Sequence, residues 1–227
     1  YDGATAGNDT IDGHEGDDVI AGDSLAIKTG LGVPSTATTY NTEIGSSSAG
    51  SDNIYSGVGH DLVAGDSAEL AAYGHAEAYT YNTSSNEGGE AGDDYIVTSS
   101  GDDTVAGGSL AKGVTAHAYT ENDATNYGST GNDTIYAGSG NDQFAGDSMA
   151  IETGGLGIDT SAYTHNTDGG VAGQAGSDWI DTSDGHDIGA GDSAEFALGE
   201  YGHAAAYTDN TSTSAGGEAG DDTSISG

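Results

Sequence analysis

The sequence predicts an all-β protein, a parallel β-solenoid with coils of about 43 residues. Three observations carry this reading. Near copies of one unit start near Ala6, Ala49, Ala91, Thr130, Ala175 and Ala219, at spacings of 43, 42, 39, 45 and 44 residues. A fixed period of this length marks stacked repeats, each of which buries its apolar face only against its neighbours. Stretches such as AELAAYGHAEAYTYNT (68–83) alternate small or apolar residues with polar ones, the period of a strand. Helical periodicity is absent, and 41 glycines in 227 residues disfavour helix.

Each unit opens with a pair of nine-residue motifs. Asp9 and Asp18 are nine apart, as are Ile11 and Ile20. The same register gives Asp52 and Asp61, Asp94 and Asp103, Asp133 and Asp142, and Asp178 and Asp187, with Asp222 in a final partial unit. The tripeptide GDS follows at Asp23, Asp66, Asp147 and Asp192, but the third unit reads GGS at Gly107–Ser109. A segment richer in Ala, Thr and Tyr completes the unit and ends in ATTYNT, AYTYNT, AYTEND, AYTHNT or AYTDNT. This aligns Asn41, Asn82, Asn122, Asn166 and Asn210 in one column, and Tyr79, Tyr119, Tyr163 and Tyr207 in another, with Thr38 in the first unit.

The units span 6–48, 49–90, 91–129, 130–174 and 175–218, with 219–227 partial. Unit four resembles unit one, unit five resembles unit two, and the last stub resembles the start of unit three. The chain is therefore nearly two copies of a three-unit super-repeat. We expect a single array with no internal domain boundary, a segment of a longer tandem protein.

Composition restricts what holds such a chain folded. Formal net charge is -36, from 38 acidic residues against two lysines, Lys28 and Lys112. Leu, Ile, Val and Phe together supply only 29 residues. Chains this acidic and this poor in apolar residues do not build an ordinary core. Nucleic acid and anionic membrane surfaces demand basic residues and are disfavoured as partners; cations are favoured. Cysteine is absent, which removes disulfides and thiolate sites. No apolar run has transmembrane length, so membrane insertion is not expected.

The motifs GHEGDDVIA (13–21), SGVGHDLVA (56–64) and AGSGNDQFA (137–145) resemble the nonapeptide of the repeats-in-toxin (RTX) family, the haemolysin-type calcium-binding repeats. That resemblance implies a parallel β-roll with Ca²⁺ in its glycine-rich loops and an aliphatic residue facing a thin core. It also implies secretion, mostly from Gram-negative bacteria, as toxins, enzymes, adhesins or surface layers. This chain departs from the family pattern where Gly189 and Ser224 replace the aliphatic residue. It departs again where a Tyr/Thr segment separates the pairs of motifs and enlarges the coil.

The residues suit calcium independently of the resemblance. Ca²⁺ takes six to eight oxygen ligands from carboxylates and carbonyls. A Gly-x-Asp loop supplies both, because glycine permits the tight backbone that turns carbonyls inward. The candidate ligands form three columns: Asp9, Asp52, Asp94, Asp133, Asp178 and Asp222; Asp18, Asp61, Asp103, Asp142 and Asp187; and Asp23, Asp66, Asp147 and Asp192. Bare carboxylates stacked at the strand spacing repel by roughly 1–4 kcal/mol per neighbouring pair. Cations between coils reverse that sign, and their binding energy becomes folding energy. Ile11, Ile54, Ile96, Ile135 and Ile180 are expected to form one buried ladder, and Ile20, Val63, Val105 and Phe144 another.

The seven histidines form no catalytic constellation, and an enzyme is not expected. Asn8, Asn82, Asn132 and Asn210 lie in N-x-[ST] sequons, with Asn82 and Asn210 the better glycosylation candidates. The expected function is a Ca²⁺-stabilised structural segment of a secreted filament, surface layer or long adhesin, self-associating along its axis. Two alternatives stand beside it. One is a Ca²⁺-dependent adhesin module that contacts a cell-surface glycan, another ligand or ice. The other is the secretion domain of an enzyme whose catalytic part lies elsewhere.

Overall fold

The structure is a computed structural model that describes residues 7–28, 35–43, 48–71, 75–84, 89–113, 115–124, 127–152, 159–168, 174–185, 188–197, 203–212, 218–220 and 222–225. It is all-β and arranged in five sheets. Each sheet stacks the equivalent strand of successive units, always parallel. The first is built from Thr10–Asp12, Asn53–Val58, Tyr95–Ser100, Thr134–Tyr136, Trp179–Asp181 and Thr223–Ile225, with the short Ser139–Gly140 and Asp184–Gly185 branching from Tyr95–Ser100. The second comes from the second nonapeptides, and the third from the strands that begin at the GDS or GGS serine. The fourth stacks the long Tyr/Thr strands Ser35–Glu43, His75–Ser84, Thr115–Ala124, Asp159–Asp168 and His203–Ser212. The fifth is a ladder of two-residue strands such as Ser129–Thr130.

Register follows the repeat. Ile54 pairs Ile11 and Ile96, Ile135 pairs Ile96 and Ile180, and Asn122 pairs Asn82 and Asn166. Unit length varies, yet the apolar columns stay in register, because a slip of one residue would turn every apolar side chain outward. A bulge between Val97 and Ser100 takes up a shift against Asn53–Val58 after the isoleucine pair has formed.

The interior is thin and divides into three ladders. Ile54, Ile96, Ile135 and Ile180 of the first sheet meet Ile20, Val63, Val105 and Phe144 of the second. Leu62, Leu110, Met149 and Ile151 pack with alanines between the second and third sheets. Between the third and fourth sheets the apolar filling, among the described residues, is alanine, including Ala71, Ala78, Ala111, Ala118, Ala150 and Ala162. Alanine lets these sheets approach closely enough for hydroxyls to bridge them. Ser109 Oγ donates to the Tyr119 carbonyl at 2.8 Å and lies 2.9 Å from Thr80 Oγ1. Ser67, Ser148 and Ser193 repeat this arrangement with Thr39, Thr120 and Thr164. The serine of GDS is therefore a tie between two sheets.

The departure at Gly189 has a packing reason. Gly189 pairs with Phe144, and a Cβ there would overlap the Phe144 ring. The larger side chain of one coil occupies the space that the smaller one leaves in the next. The sequon expectation is corrected at Asn82, which is fully buried on the inner face of the fourth sheet and closed to glycosylation in the folded chain.

Candidate metal centre

The first aspartate column is a hydrogen-bonded ladder. The backbone N–H of Asp9 donates to Asp52 Oδ1 at 2.7 Å. Asp52 donates likewise to Asp94 at 2.7 Å, Asp94 to Asp133 at 2.8 Å, Asp133 to Asp178 at 2.8 Å and Asp178 to Asp222 at 3.0 Å. One oxygen of each carboxylate is thus fixed by the preceding coil. The other oxygen, Oδ2, is buried without a partner at Asp52, Asp94, Asp133 and Asp178. The second column repeats the pattern from Asp18 to Asp61, Asp61 to Asp103 and Asp103 to Asp142, at 2.9 to 3.0 Å. Asp187 lies outside the described residues.

The GDS aspartates do not stand apart as a third column. Two of them, Asp23 and Asp147, converge on the first, whereas Asp66 and Asp192 join no such three-carboxylate group among the described residues. Carboxylate oxygens of Asp9, Asp23 and Asp52 lie within 4.8 Å of one another, as do those of Asp133, Asp147 and Asp178. Each group takes two aspartates from one coil and one from the next. The glycine of GDS makes room for it: a Cβ at Gly146 would overlap Asp178 Oδ2, and one at Gly22 would overlap Asp52 Oδ2.

The asparagine column holds the GDS aspartates from behind. Asn122 Nδ2 donates to Asp147 Oδ1 at 2.7 Å and to Asn166 Oδ1 at 2.9 Å. Asn41 does the same to Asp66 and Asn82, at 2.6 and 3.0 Å. Both amide hydrogens are used, one along the ladder and one toward the metal centre. Each asparagine lies against a glycine with φ near +60°, Gly50, Gly92, Gly131 and Gly176, where any Cβ would strike the amide.

The residue before the first-column aspartate accepts a hydrogen bond in the opposite sense at Asn8, Ser51, Asp93 and Asn132. Asn8 Oδ1 accepts from Ser51 N at 3.3 Å, Asp93 Oδ1 from Asn132 N at 3.1 Å and Asn132 Oδ1 from Ser177 N at 2.6 Å. In the second column Asp17 Oδ1 accepts from His60 N, and His60 Nδ1 from Asp102 N. These positions vary among Asn, Asp, Ser and His, and each side chain can accept a hydrogen bond.

Without cations this arrangement is electrostatically costly. Burial, then neighbouring carboxylates, push Asp66, Asp94, Asp147 and Asp178 well above the ordinary carboxylate range. Burial does the same to Asp133. Burial and Asp52 raise Asp23 to about 7, and burial raises Asp52 to about 6 against the hydrogen bond from Asp9. A divalent cation at the convergent oxygens supplies the positive charge that lets all of them ionise. The buried, unpartnered Oδ2 atoms fit such an ion, and an all-oxygen donor set suits Ca²⁺ rather than a softer metal. Asp9, Asp23 and Asp52 would hold one ion, and Asp133, Asp147 and Asp178 another. Between the third and fourth coils Gly108 stands where the other units have the GDS aspartate, so the donor set there is one carboxylate poorer.

The convergence of GDS with the first column was readable as a constant. Asp23 follows Asp9 by 14 residues, as Asp66 follows Asp52, Asp147 follows Asp133 and Asp192 follows Asp178, although the units differ in length. The buried Ser–Thr ties carried a similar signal in their fixed place beside the GDS and Tyr-Thr motifs.

Comparison with curated proteins found no match, and comparison with solved structures found none. A family model, described as RTX calcium-binding nonapeptide repeat (4 copies), matches residues 4–24, 42–68, 89–109, 125–148 and 171–193. These segments carry both nonapeptides and the GDS or GGS of each unit. Together they cover half of the chain, and they contain the buried aspartate ladders described above. The chain belongs to the RTX calcium-binding nonapeptide repeat family, as a Ca²⁺-binding structural repeat protein whose parallel coils have been enlarged by a Tyr/Thr strand.

Proposed function

We propose that the chain is a structural segment of a secreted filament, surface layer or long adhesin, folded by Ca²⁺ and extended by coil-on-coil stacking. The observation that carries this reading is the in-register parallel pairing of every sheet, in which each coil rests only on its neighbours. Stacking within the array buries side chains that an uncovered coil exposes. Leu25 and Ile27 are 46% and 57% exposed, whereas Leu110, Met149 and Ile151 in the same columns are buried. Asn41 Oδ1 is buried without a donor, whereas Oδ1 of Asn82, Asn122 and Asn166 each accept from the asparagine one coil earlier. Secretion fits the ion: a chain that needs Ca²⁺ to fold stays open where Ca²⁺ is scarce and closes outside the cell.

Electron microscopy of the purified protein in millimolar Ca²⁺, then in excess chelator, tests the reading. Filaments or sheets that form with Ca²⁺ and dissolve without it are expected. Monomers that compact with Ca²⁺ and never assemble would reject the self-associating reading and favour a ligand-binding adhesin module.

A further inference from the structure

The outer face of the fourth sheet carries a run of tyrosines that the metal centre does not use. Tyr40 and Tyr81 are Cα partners on adjacent coils, with ring centroids 4.9 Å apart and ring planes 9° from parallel. Tyr119 and Tyr163 are also partners, 5.4 Å apart and 1° from parallel. Tyr81 and Tyr119 link the two pairs at 5.7 Å but are tilted by 46°. Tyr55–Tyr95 and Tyr95–Tyr136 on the first sheet are tilted as well, at 57° and 54°. The two stacked pairs cover each other's faces, which disfavours them as platforms for sugar rings. What they leave available is phenol chemistry. Tyr40 is 58% exposed, Tyr119 and Tyr163 are half-buried, and the chain has no cysteine with which to staple its coils.

Tyr119 has a further partner. Its hydroxyl donates to Glu121 Oε2 at 2.9 Å, two residues along the same strand. A phenol bonded to a carboxylate has a ready acceptor for the proton it must lose when an electron is removed. Burial and this carboxylate also raise the Tyr119 phenol, so it stays protonated at neutral pH and must lose proton and electron together.

We propose that Tyr119–Tyr163 and Tyr40–Tyr81 are sites of oxidative cross-linking, at which a one-electron oxidant of the peroxide-driven haem peroxidase class joins adjacent coils through dityrosine, with Glu121 taking the phenolic proton of Tyr119. Each phenol loses one electron and one proton to become a phenoxyl radical, with spin on the ring carbons ortho to oxygen. Two such carbons form a C–C bond. Their ring hydrogens then move to the oxygens, which restores both phenols. The balance is two electrons and two protons removed per link, matched by one hydrogen peroxide reduced to two waters. Ring stacking supplies the proximity that coupling needs.

The test treats the Ca²⁺-loaded protein with a haem peroxidase and hydrogen peroxide, then digests it at acidic residues and maps the linked peptides by mass. Links two hydrogens lighter than the sum of their parts are expected within single molecules, at Tyr119–Tyr163 and Tyr40–Tyr81. The same treatment in excess chelator should give far less of both. Glu121→Gln should slow the Tyr119–Tyr163 link about tenfold or more, the scale on which a positioned proton acceptor acts, and slow Tyr40–Tyr81 less, because Glu121 stands beside Tyr81 but takes its hydrogen bond from Tyr119. Tyr163→Phe should abolish the first link alone, with circular dichroism confirming that the variant folds. Equal yields with and without Ca²⁺, links as frequent at the tilted pairs as at the stacked ones, or a Glu121→Gln rate equal to that of the unmodified protein would overturn the proposal. Failure to form filaments would leave these yields unaffected, so this result and the assembly result are independent.

Discussion

Gly146 shows how much a single missing atom permits. Its bare Cα allows Asp178 Oδ2 to enter from the next coil, where a Cβ would overlap both that oxygen and the Gly191 carbonyl. Gly146→Ala is expected to weaken the folded state by about 3 kcal/mol or more, at the severe end for a single substitution. The readout is a rise in the Ca²⁺ concentration at the folding midpoint, followed by circular dichroism; an unshifted midpoint would contradict this geometry. Asp133 tests the ion more directly. Asp133→Asn keeps the size and the ladder acceptor but removes one charge from the convergent group. It should reduce the number of ions counted by calorimetry or weaken one of them at least tenfold, about 1.4 kcal/mol. Asp12→Asn, at an exposed site, should leave the count unchanged.

At the level of elements, the long fourth-sheet strand presents a different chemistry on each face. Inward it alternates alanine, threonine and asparagine; outward it presents tyrosine, threonine and charge. Asn122 lies at the centre of the inner ladder with both amide hydrogens committed. Asn122→Ala strips donors from Asp147 and Asn166 inside a buried network and should cost about 3 kcal/mol in urea unfolding at saturating Ca²⁺. Ser109→Ala removes one inter-sheet hydroxyl and should cost about 1 kcal/mol. Equal losses for the two would refute the asparagine's special place.

These elements also mark how far the sequence could be read. The columns of Asp, Ile, Asn and Tyr were legible, because a repeat aligns itself and stacking places like on like. The merging of the GDS aspartates with the first column left only the constant 14-residue separation as its trace, and a separation along the chain does not by itself give proximity in space. Distance between two loops of a coil depends on how the intervening strand bends back, and no single unit states that. The burial of Asn82 was missed for a related reason. Period-2 alternation separates two faces without saying which is inside, and here the amide goes in while the tyrosine ring goes out.

For the whole molecule, charge decides the conditions of folding. The raised Asp23 and Asp52 carboxylates bind more protons in the metal-free folded state than in the unfolded chain, whose carboxylates titrate near 3.8. Their contribution to metal-free stability is therefore fully present below about pH 4 and is lost as pH rises through about 6 to 7. Repulsion within a chain of net charge -36 acts in the same direction. In excess chelator, β-structure followed by circular dichroism should be greatest in mild acid and fade toward neutrality. Ca²⁺ should restore it at neutral pH and bind more weakly as pH falls, because protons compete for the same oxygens. A chelated chain that gains β-structure as pH rises would contradict the burial of these carboxylates.

The aspartate ladder also has a direction. The N–H groups of Asp9, Asp52, Asp94, Asp133 and Asp178 each donate to the carboxylate of the coil that follows, and among the described residues none donates back. The two faces of a coil are therefore unlike, and two molecules that meet through the same face cannot continue the ladder. Only head-to-tail contact does so, and a head-to-tail contact without rotational closure gives an open line rather than a closed dimer. A fibre grown this way is polar, like a one-way street. Its two ends should take up added protein at different rates, and seeds labelled at one end should lengthen unequally under the microscope.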